Sequence, residues 1–318
     1  MKLISIVIPA YNEGKNIPLV YAAIEKIFKS LGNNYDFEIM FVNDGSRDNS
    51  FEEIKKLAEK DARVKYINFS RNFGKEIATT AGINNCAGDA CIMIDADLQH
   101  PAELIPEFIK KWEAGADVVV GIRKESKSDS ELKKIGSRLF YKTLNRIAEM
   151  EIVPNSTDFR LIDRKVIEEF KRFTERGRMT RALIDWLGFR RDFIYFDARE
   201  RINGTASYNF WKLAKLALDS FVSLSLLPLR LAGYLGIFIM VISGIMGTYI
   251  MIGKYFLHDA HGIWHLASTF SDAENLAIFI VFLVGIILVS LGLMALYVAN
   301  IHREVIERPI YVIKDKKI

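Results

Sequence analysis

The sequence predicts an α/β domain built on a mostly parallel, doubly wound sheet, followed by a pair of membrane-spanning helices. Three observations carry that expectation. Short apolar runs alternate with segments whose apolar residues recur at helical spacing, the pattern of repeated βαβ units. Three of those runs break off into polar loops, at 11–14, 43–46 and 95–99, and in an open α/β sheet such loops gather on the edge where ligands bind. The chain up to about Leu227 is ordinarily charged, whereas residues 228–301 are nearly uncharged.

Taken in order, residues 3–8 form a first strand closed by Pro9. Asn16 then opens a helix whose apolar positions Ile17, Val20, Ala23, Ile24 and Ile27 share one face. A second strand covers 37–42, and Ser50, with Glu53 three residues on, reads as a capping box for the next helix. A third strand covers 64–69, and Asn72-Phe73-Gly74 opens a helix that runs to about Cys86. Gly88-Asp89 and Pro101 bound a fourth strand at 90–94, Pro101 starts a further helix, and 117–121 is a fifth strand. Residues 308–313 read as a short returning strand and a candidate subunit contact in a homo-oligomer. Cys86 and Cys91 are the only cysteines; in an apolar helix-to-strand segment they read as buried free thiols.

Residues 231–253 and 275–301 contain no Asp, Glu, Lys or Arg, and each exceeds the roughly 20 apolar residues that cross a bilayer. A buried hairpin in a large soluble core is the alternative. Arg230 precedes the pair, and Arg303, Arg308, Lys314, Lys316 and Lys317 follow it. The connecting segment 258–274 has Asp259, Asp272 and Glu274 but no Lys or Arg. The positive-inside rule then puts both ends in the cytoplasm, with Lys254 as a mild violation. No signal peptide precedes the first strand, so the N-terminal domain is expected in the cytosol, on an inner-membrane, multi-pass protein. The expected organisation is the α/β domain at 1–208, interfacial helices at 209–228, the membrane pair at 229–302 and a cytoplasmic tail at 303–318. A formal charge of +4 is too small to argue for nucleic acid and agrees with lying against anionic membrane lipid.

The run from Cys91 to Pro101 ends in Asp95, Asp97 and Gln99. Carboxylates one residue apart, with a carboxamide two further on, offer hard oxygen ligands suited to Mg²⁺ or Mn²⁺ carrying a diphosphate. An isolated Asp-x-Asp is more often a solvated turn, and its place at the end of a strand favours the metal reading here. Neither common phosphate loop is present, so phosphates here must be neutralised by a metal and basic side chains. The missing glycine fingerprint also argues against a nicotinamide dehydrogenase. The polar segment 122–134 reads either as a mobile loop, with Arg123 and Arg138 the best phosphate binders, or as a solvated face.

Five motifs then fall in order: Val7-Ile8-Pro9-Ala10-Tyr11-Asn12-Glu13, Val42-Asn43-Asp44-Gly45-Ser46, Ser70-Arg71-Asn72-Phe73-Gly74-Lys75, Asp95-Ala96-Asp97-Leu98-Gln99 and Asp158-Phe159-Arg160-Leu161. Together they resemble the inverting family 2 glycosyltransferases of GT-A fold. The nearest branch is the polyisoprenyl-phosphate one, which includes dolichol-phosphate mannosyltransferase and the bactoprenol glucosyltransferases. The resemblance implies that Pro9, Tyr11 and Glu13 lie beside the nucleotide, that Asp44 bonds its base, and that Asp95, Asp97 and Gln99 hold metal and diphosphate. It makes Asp158 the candidate catalytic base. From the residues alone, Asp158 could instead be a turn carboxylate paired with Arg160 or Arg164. Arg201 and Tyr208 match a family element near the diphosphate, although Ser207 replaces its usual Lys.

The implied partners are a nucleotide-sugar donor and a polyprenyl-phosphate acceptor. UDP-glucose is the favoured donor; UDP-N-acetylglucosamine, UDP-galactose and GDP-mannose remain open. A phosphate monoester is largely dianionic at neutral pH, so it needs positioning more than deprotonation. A processive polysaccharide synthase is disfavoured by the lack of a Gln/Arg-x-x-Arg-Trp motif, and a non-catalytic sugar-lipid carrier by the intact Asp95, Asp97, Gln99 and Asp158.

Overall fold

The structure is a computed structural model that describes residues 1–124, 155–175, 178–197 and 272–318, with 153, 234 and 238 as isolated positions. The chain divides into two compact units. One comprises 1–146, 150–208 and 307–318, the other 147–149 and 209–306.

The first unit is built on one sheet. In chain order its elements are β1 (Lys2–Ala10), α1 (Ile17–Leu31), β2 (Tyr35–Asn43), α2 (Ser50–Lys60), β3 (Val64–Phe69), α3 (Lys75–Asn85) and β4 (Ala90–Met93). They continue with α4 (Ile105–Glu113), β5 (Val118–Arg123), β6 (Ser156–Asp163), α5 (Arg164–Lys171), α6 (Thr180–Trp186), β7 (Arg191–Phe196) and β8 (Ile313–Lys317). The strand order is β7-β5-β6-β4-β1-β2-β3-β8. β1 is parallel to both β2 and β4, and β2 to β3, so the centre is the expected parallel sheet.

Alternating side chains of the strands feed two cores, one on each face. Ile4, Ile6 and Ile8 of β1 pack with Ile17, Val20 and Ile24 of α1 and Phe108 of α4. Val7 and Met40 on the other face pack with Ala78 and Ala81 of α3 and with Val166 and Phe170 of α5. α3 lies close on β1 because Gly82 has no side chain: a Cβ there would stand 2.3 Å from Val7 Cγ1. Burial on both faces explains why these strands read as nearly continuous apolar runs. Cys86 and Cys91 are buried free thiols, as read from the sequence.

Two strands run against the rest. β6 enters between β4 and β5, antiparallel to both. β8 pairs antiparallel with β3, with Tyr66 opposite Lys317 and Ile67 opposite Lys316. The expected tail strand therefore forms at Ile313–Lys317 rather than 308–313, and it pairs with β3 of its own chain. The physical reason is the outer edge of β3, whose backbone groups would otherwise lack partners. Tyr311 stacks on Phe69 at 5.1 Å and the Ser70 N–H donates to Val312 O, extending the join past the strand.

Two local expectations are corrected. Ser50 is the first residue of α2, Asn49 precedes it, and neither makes the side-chain cap. The Ser50 hydroxyl donates to Asp48 and accepts from the Glu13 N–H, so its acceptor side serves the loop after β1 rather than the helix N–H groups that a cap would satisfy. Glu53 pairs with Lys56. Pro101 leads into a short 3₁₀ turn, Ala102–Leu104, before α4 begins.

In the second unit, α7 (Asp272–Val305) is one continuous helix of 34 residues, about 51 Å long. Its side chains are described at intervals, and apolar ones at Leu276, Ile280, Val284, Ile287, Leu291 and Val298 are exposed. Across the described residues no helix is long and apolar enough to cross a membrane; the length and hydropathy of 275–301 are properties of the backbone helix and the sequence. The first expected span at 231–253 apart from positions 234 and 238, the interfacial segment 209–228, most of the polar segment 122–134, and Arg138, Arg201 and Tyr208 lie outside the described residues.

Candidate active site

The loops after β1, β2 and β3 form one body at the C-terminal edge of the parallel strands. The Asn12 N–H donates to Ser46 Oγ at 2.9 Å, the Arg47 N–H to Asn12 Oδ1 at 2.9 Å, and the Gly14 N–H to Asp48 at 3.1 Å. Asp44 joins the third loop to them. Its carboxylate accepts the N–H groups of Phe73 and Gly74 at 2.7 and 2.9 Å. Burial pushes Asp44 above the ordinary carboxylate range, the two amide bonds opposing it. Gly45, at φ +63°, lets the Arg71–Asn72 backbone approach to where a Cβ would lie 2.3 Å away.

On this platform, Pro9 is half-buried near the end of β1 and Tyr11 is exposed. The Glu13 carboxylate accepts from the Asn16 side chain. A nucleotide base at Asp44 would meet a carboxylate whose two oxygens already hold the loop after β3.

The acidic turn follows β4. The Asp97 carboxylate accepts the Gln99 N–H at 3.1 Å, and Leu98 takes φ 61°. The Asp95 N–H reaches Nδ1 of His100 at 3.4 Å, and the imidazole stacks on Phe159 at 5.2 Å. Burial pulls the His100 pKa down, so the ring stays a neutral acceptor.

Asp158 reaches the same place through sheet register. β4 and β6 pair Ala90 with Asp163 and Met93 with Arg160; two rungs further on, Asp95 falls opposite Asp158. Between these carboxylates lies the ammonium of Lys75, the first residue of α3. Its Nζ is 2.7 and 2.8 Å from the Asp95 oxygens and 2.8 Å from Asp158 Oδ2. Burial raises the Asp158 pKa, but the charge and hydrogen bond of Lys75, with Arg181 and Arg160 behind it, outweigh burial and lower it to about 2. Burial would lower the pKa of Lys75; the two carboxylates raise it on balance.

Asp158 thus does not make the pairing that the sequence left open. The Arg160 guanidinium is buried on Asp185 at 2.9 Å, and Arg164 bonds Glu168 and backbone carbonyls near Gly88. Arg123 ends β5 with its side chain exposed, and its N–H bonds Asn155 O, three residues before Asp158. Sequence reasoning quoted Lys75 inside a motif without giving it a role, and passed over His100. The signal for Lys75 was its place on a polar edge loop, next to Gly74 and before a helix.

Among the described residues no three His, Cys, Asp or Glu are grouped to hold a metal. Asp95, Asp97 and Gln99 nonetheless suit Mg²⁺ or Mn²⁺, which bind nucleotide phosphates through one or two protein carboxylates. The structure bears on the fit directly, since Asp95 already engages a cation with both oxygens.

A largely parallel sheet whose polar edge combines three interlocked loops, an Asp-x-Asp turn and a facing carboxylate has the architecture of the GT-A fold. Residues 5–171 match the family described as Glycosyl transferase family 2, and the chain is a glycosyltransferase belonging to it. A glycosyltransferase of Synechocystis is 39% identical over 98% of this chain and 95% of its own. The bactoprenol glucosyl transferase of Shigella phage SfV is 38% identical over 99% of each chain. A prophage bactoprenol glucosyl transferase homolog of Escherichia coli K12 is 37% identical over 99% of each. Among solved structures, mannosyl-3-phosphoglycerate synthase from Rubrobacter xylanophilus superposes with TM-score 0.46 at 14% identity, over 82% of this chain and 78% of that one. That likeness is too distant to bear on substrate.

Proposed function

We propose that this glycosyltransferase moves one glucose from UDP-glucose to undecaprenyl phosphate, or a similar polyprenyl phosphate, at the cytoplasmic face of the inner membrane. The observation that carries the chemistry is the pairing of Asp95 and Asp158 across one ammonium at the edge of the sheet. Full-length similarity to proteins named bactoprenol glucosyl transferase supports the sugar and the lipid class.

When bound, a divalent cation held by Asp95, Asp97 and Gln99 supplies Lewis-acid neutralisation of the departing diphosphate. Tyr11, Pro9 and Glu13 line the nucleotide side on the zipped loops. Asp158, kept ionised by Lys75 with a pKa of about 2, is a far weaker base than the acceptor phosphate. It orients the acceptor by accepting a hydrogen bond from the fraction that arrives as monoanion, while the dianion that predominates at neutral pH attacks without deprotonation. In-line attack by the acceptor oxygen inverts the anomeric centre, giving a β-linked product from an α-linked donor. Arg123, with Arg138, Arg201 and Tyr208 from the sequence pattern, supplies contacts to acceptor phosphate or diphosphate.

Two membrane spans complete the reading. The uncharged stretches 231–253 and 275–301 support them. Chain topology adds a parity argument: β8 lies in the same sheet as β1 to β7, so the chain after α7 returns to the compartment of the catalytic unit. If α7 spans the bilayer, a second span must precede it.

The test incubates full-length protein in detergent with undecaprenyl phosphate, Mg²⁺ or Mn²⁺ and a panel of nucleotide sugars, reading lipid mass and nucleotide release. One hexose per lipid from UDP-glucose alone supports the proposal. Single transfer from another donor corrects the sugar, and a long glycan on one acceptor would overturn the reading in favour of a processive synthase.

A further inference from the structure

We propose that Lys75 is an internal cation that competes with the divalent metal for Asp95, so that metal binds well only together with a nucleotide diphosphate. The inference rests on the metal reading above and goes beyond it by coupling the two ligands through one side chain.

Two facing carboxylates repel each other unless a cation lies between them. Lys75 is the residue that touches both Asp95 and Asp158 among the described residues, and it uses both oxygens of Asp95. A divalent ion bonded to Asp95 needs those same oxygens, and its charge repels an ammonium less than 3 Å from them. Lys75 must therefore leave Asp95 when the metal arrives.

The side chain is able to leave. As a whole it is 46% exposed, although the ammonium end is desolvated between the two carboxylates, whereas the Arg160 side chain is 1% exposed and locked on Asp185. It sits at the start of α3 beside Gly74, which takes φ +103°. Its flexible four-carbon stem carries a compact charge that can be re-aimed. Metal alone offers the displaced ammonium no new partner beyond Asp158, whereas a diphosphate held by the metal offers fresh anionic oxygens at the same edge. Metal and nucleotide thus favour each other, and by linkage the effect is reciprocal.

The experiment measures Mn²⁺ affinity by electron paramagnetic resonance on full-length protein in detergent, with and without UDP. Wild type, Lys75→Met, Lys75→Gln, Lys75→Arg and Asp95→Asn are compared, each checked by thermal melting. Lys75→Met is expected to bind Mn²⁺ without UDP about tenfold tighter than wild type, and to lose a comparable factor from the enhancement that UDP brings. Lys75→Gln serves the same purpose if the Met variant does not fold, and Lys75→Arg, which keeps the charge, should retain weak metal binding. Mn²⁺ binding that depends on Asp95 but is unchanged or weaker in both neutral variants overturns the proposal alone. Binding indifferent to Asp95→Asn overturns the metal reading and this proposal with it.

Discussion

The two ends of β4 each carry a carboxylate cluster, and they are built oppositely. Where β4 begins, Glu38 is 3% exposed and takes a hydrogen bond from the Ser5 hydroxyl, another from the Ala87 N–H at 2.6 Å, and an ion pair from Lys65 at 2.9 Å. Three donors of different kinds saturate it. Where β4 ends, Asp95 and Asp158 are 24% and 26% exposed and share one flexible ammonium. The first arrangement welds β1, β2 and the lead-in to β4 together and leaves nothing for a ligand. The second leaves lone pairs free and a cation that can move. Saturation makes a carboxylate structural; shared and partial satisfaction makes it available for chemistry.

The sharpest way to break this contrast is Asp158→Asn. Sugar transfer should fall by on the order of 10²–10⁴-fold, the usual weight of a positioned acid or base, while the melting temperature barely moves. Product mass and a melting curve decide it. A loss of fold would make the two ends alike.

The reverse is expected at the other end. Glu38→Leu strands the Ser5 hydroxyl and the Ala87 N–H and should cost about 3 kcal/mol of stability, read by denaturant titration. The transfer rate per folded molecule should be unchanged; a specific loss of activity would show that the weld also shapes the site.

Deleting residues 313–318 removes β8 and bares the edge of β3. It should cost about 2 kcal/mol and promote aggregation, seen by melting and light scattering. Because Val312 and Tyr311 also hold the loop that leads to Lys75, a drop in activity larger than the drop in folded fraction would tie this edge to the site.

The smallest effect is pH-dependent. Burial raises the Glu38 pKa, but Ser5, Ala87 and Lys65 outweigh it, leaving the pKa below 4.5 in the fold. Glu38 therefore contributes stability that is fully present above about pH 4.5 and is lost as pH falls through its folded value. The stability gap between wild type and Glu38→Gln should narrow on acidification below pH 4.5. A gap that stays constant would mean that hydrogen bonding, and not charge, holds this end.

The parallel core was legible because its signals are local. Val64–Phe69 is bounded as the sequence indicates, and the strands around Leu3–Ile8 and Phe37–Val42 extend by one or two residues at most at each end. Asp95, Asp97 and Gln99 stood out because an apolar run ends in them. Ser50 misled because a capping box is a matter of spacing, and spacing does not show that the distant Glu13 N–H takes the acceptor side of that hydroxyl while Asp48 takes its proton. The place of Lys75 beside Gly74 at the sheet edge marked it as a candidate, but its role was not legible because its partners lie 20 and 83 residues away.

By itself the sequence determined the alternating strands and helices, the polar loops at the strand ends and the two uncharged stretches, because hydropathy period and turn chemistry act over a few residues. Tertiary structure decided that β6 enters antiparallel beside β4, which sets Asp158 across from Asp95, that Lys75 stands between them, and that the last residues return to close the sheet at β3. Those outcomes depend on which edges remain unpaired and which charges remain uncompensated once the core has formed, and no local pattern records either.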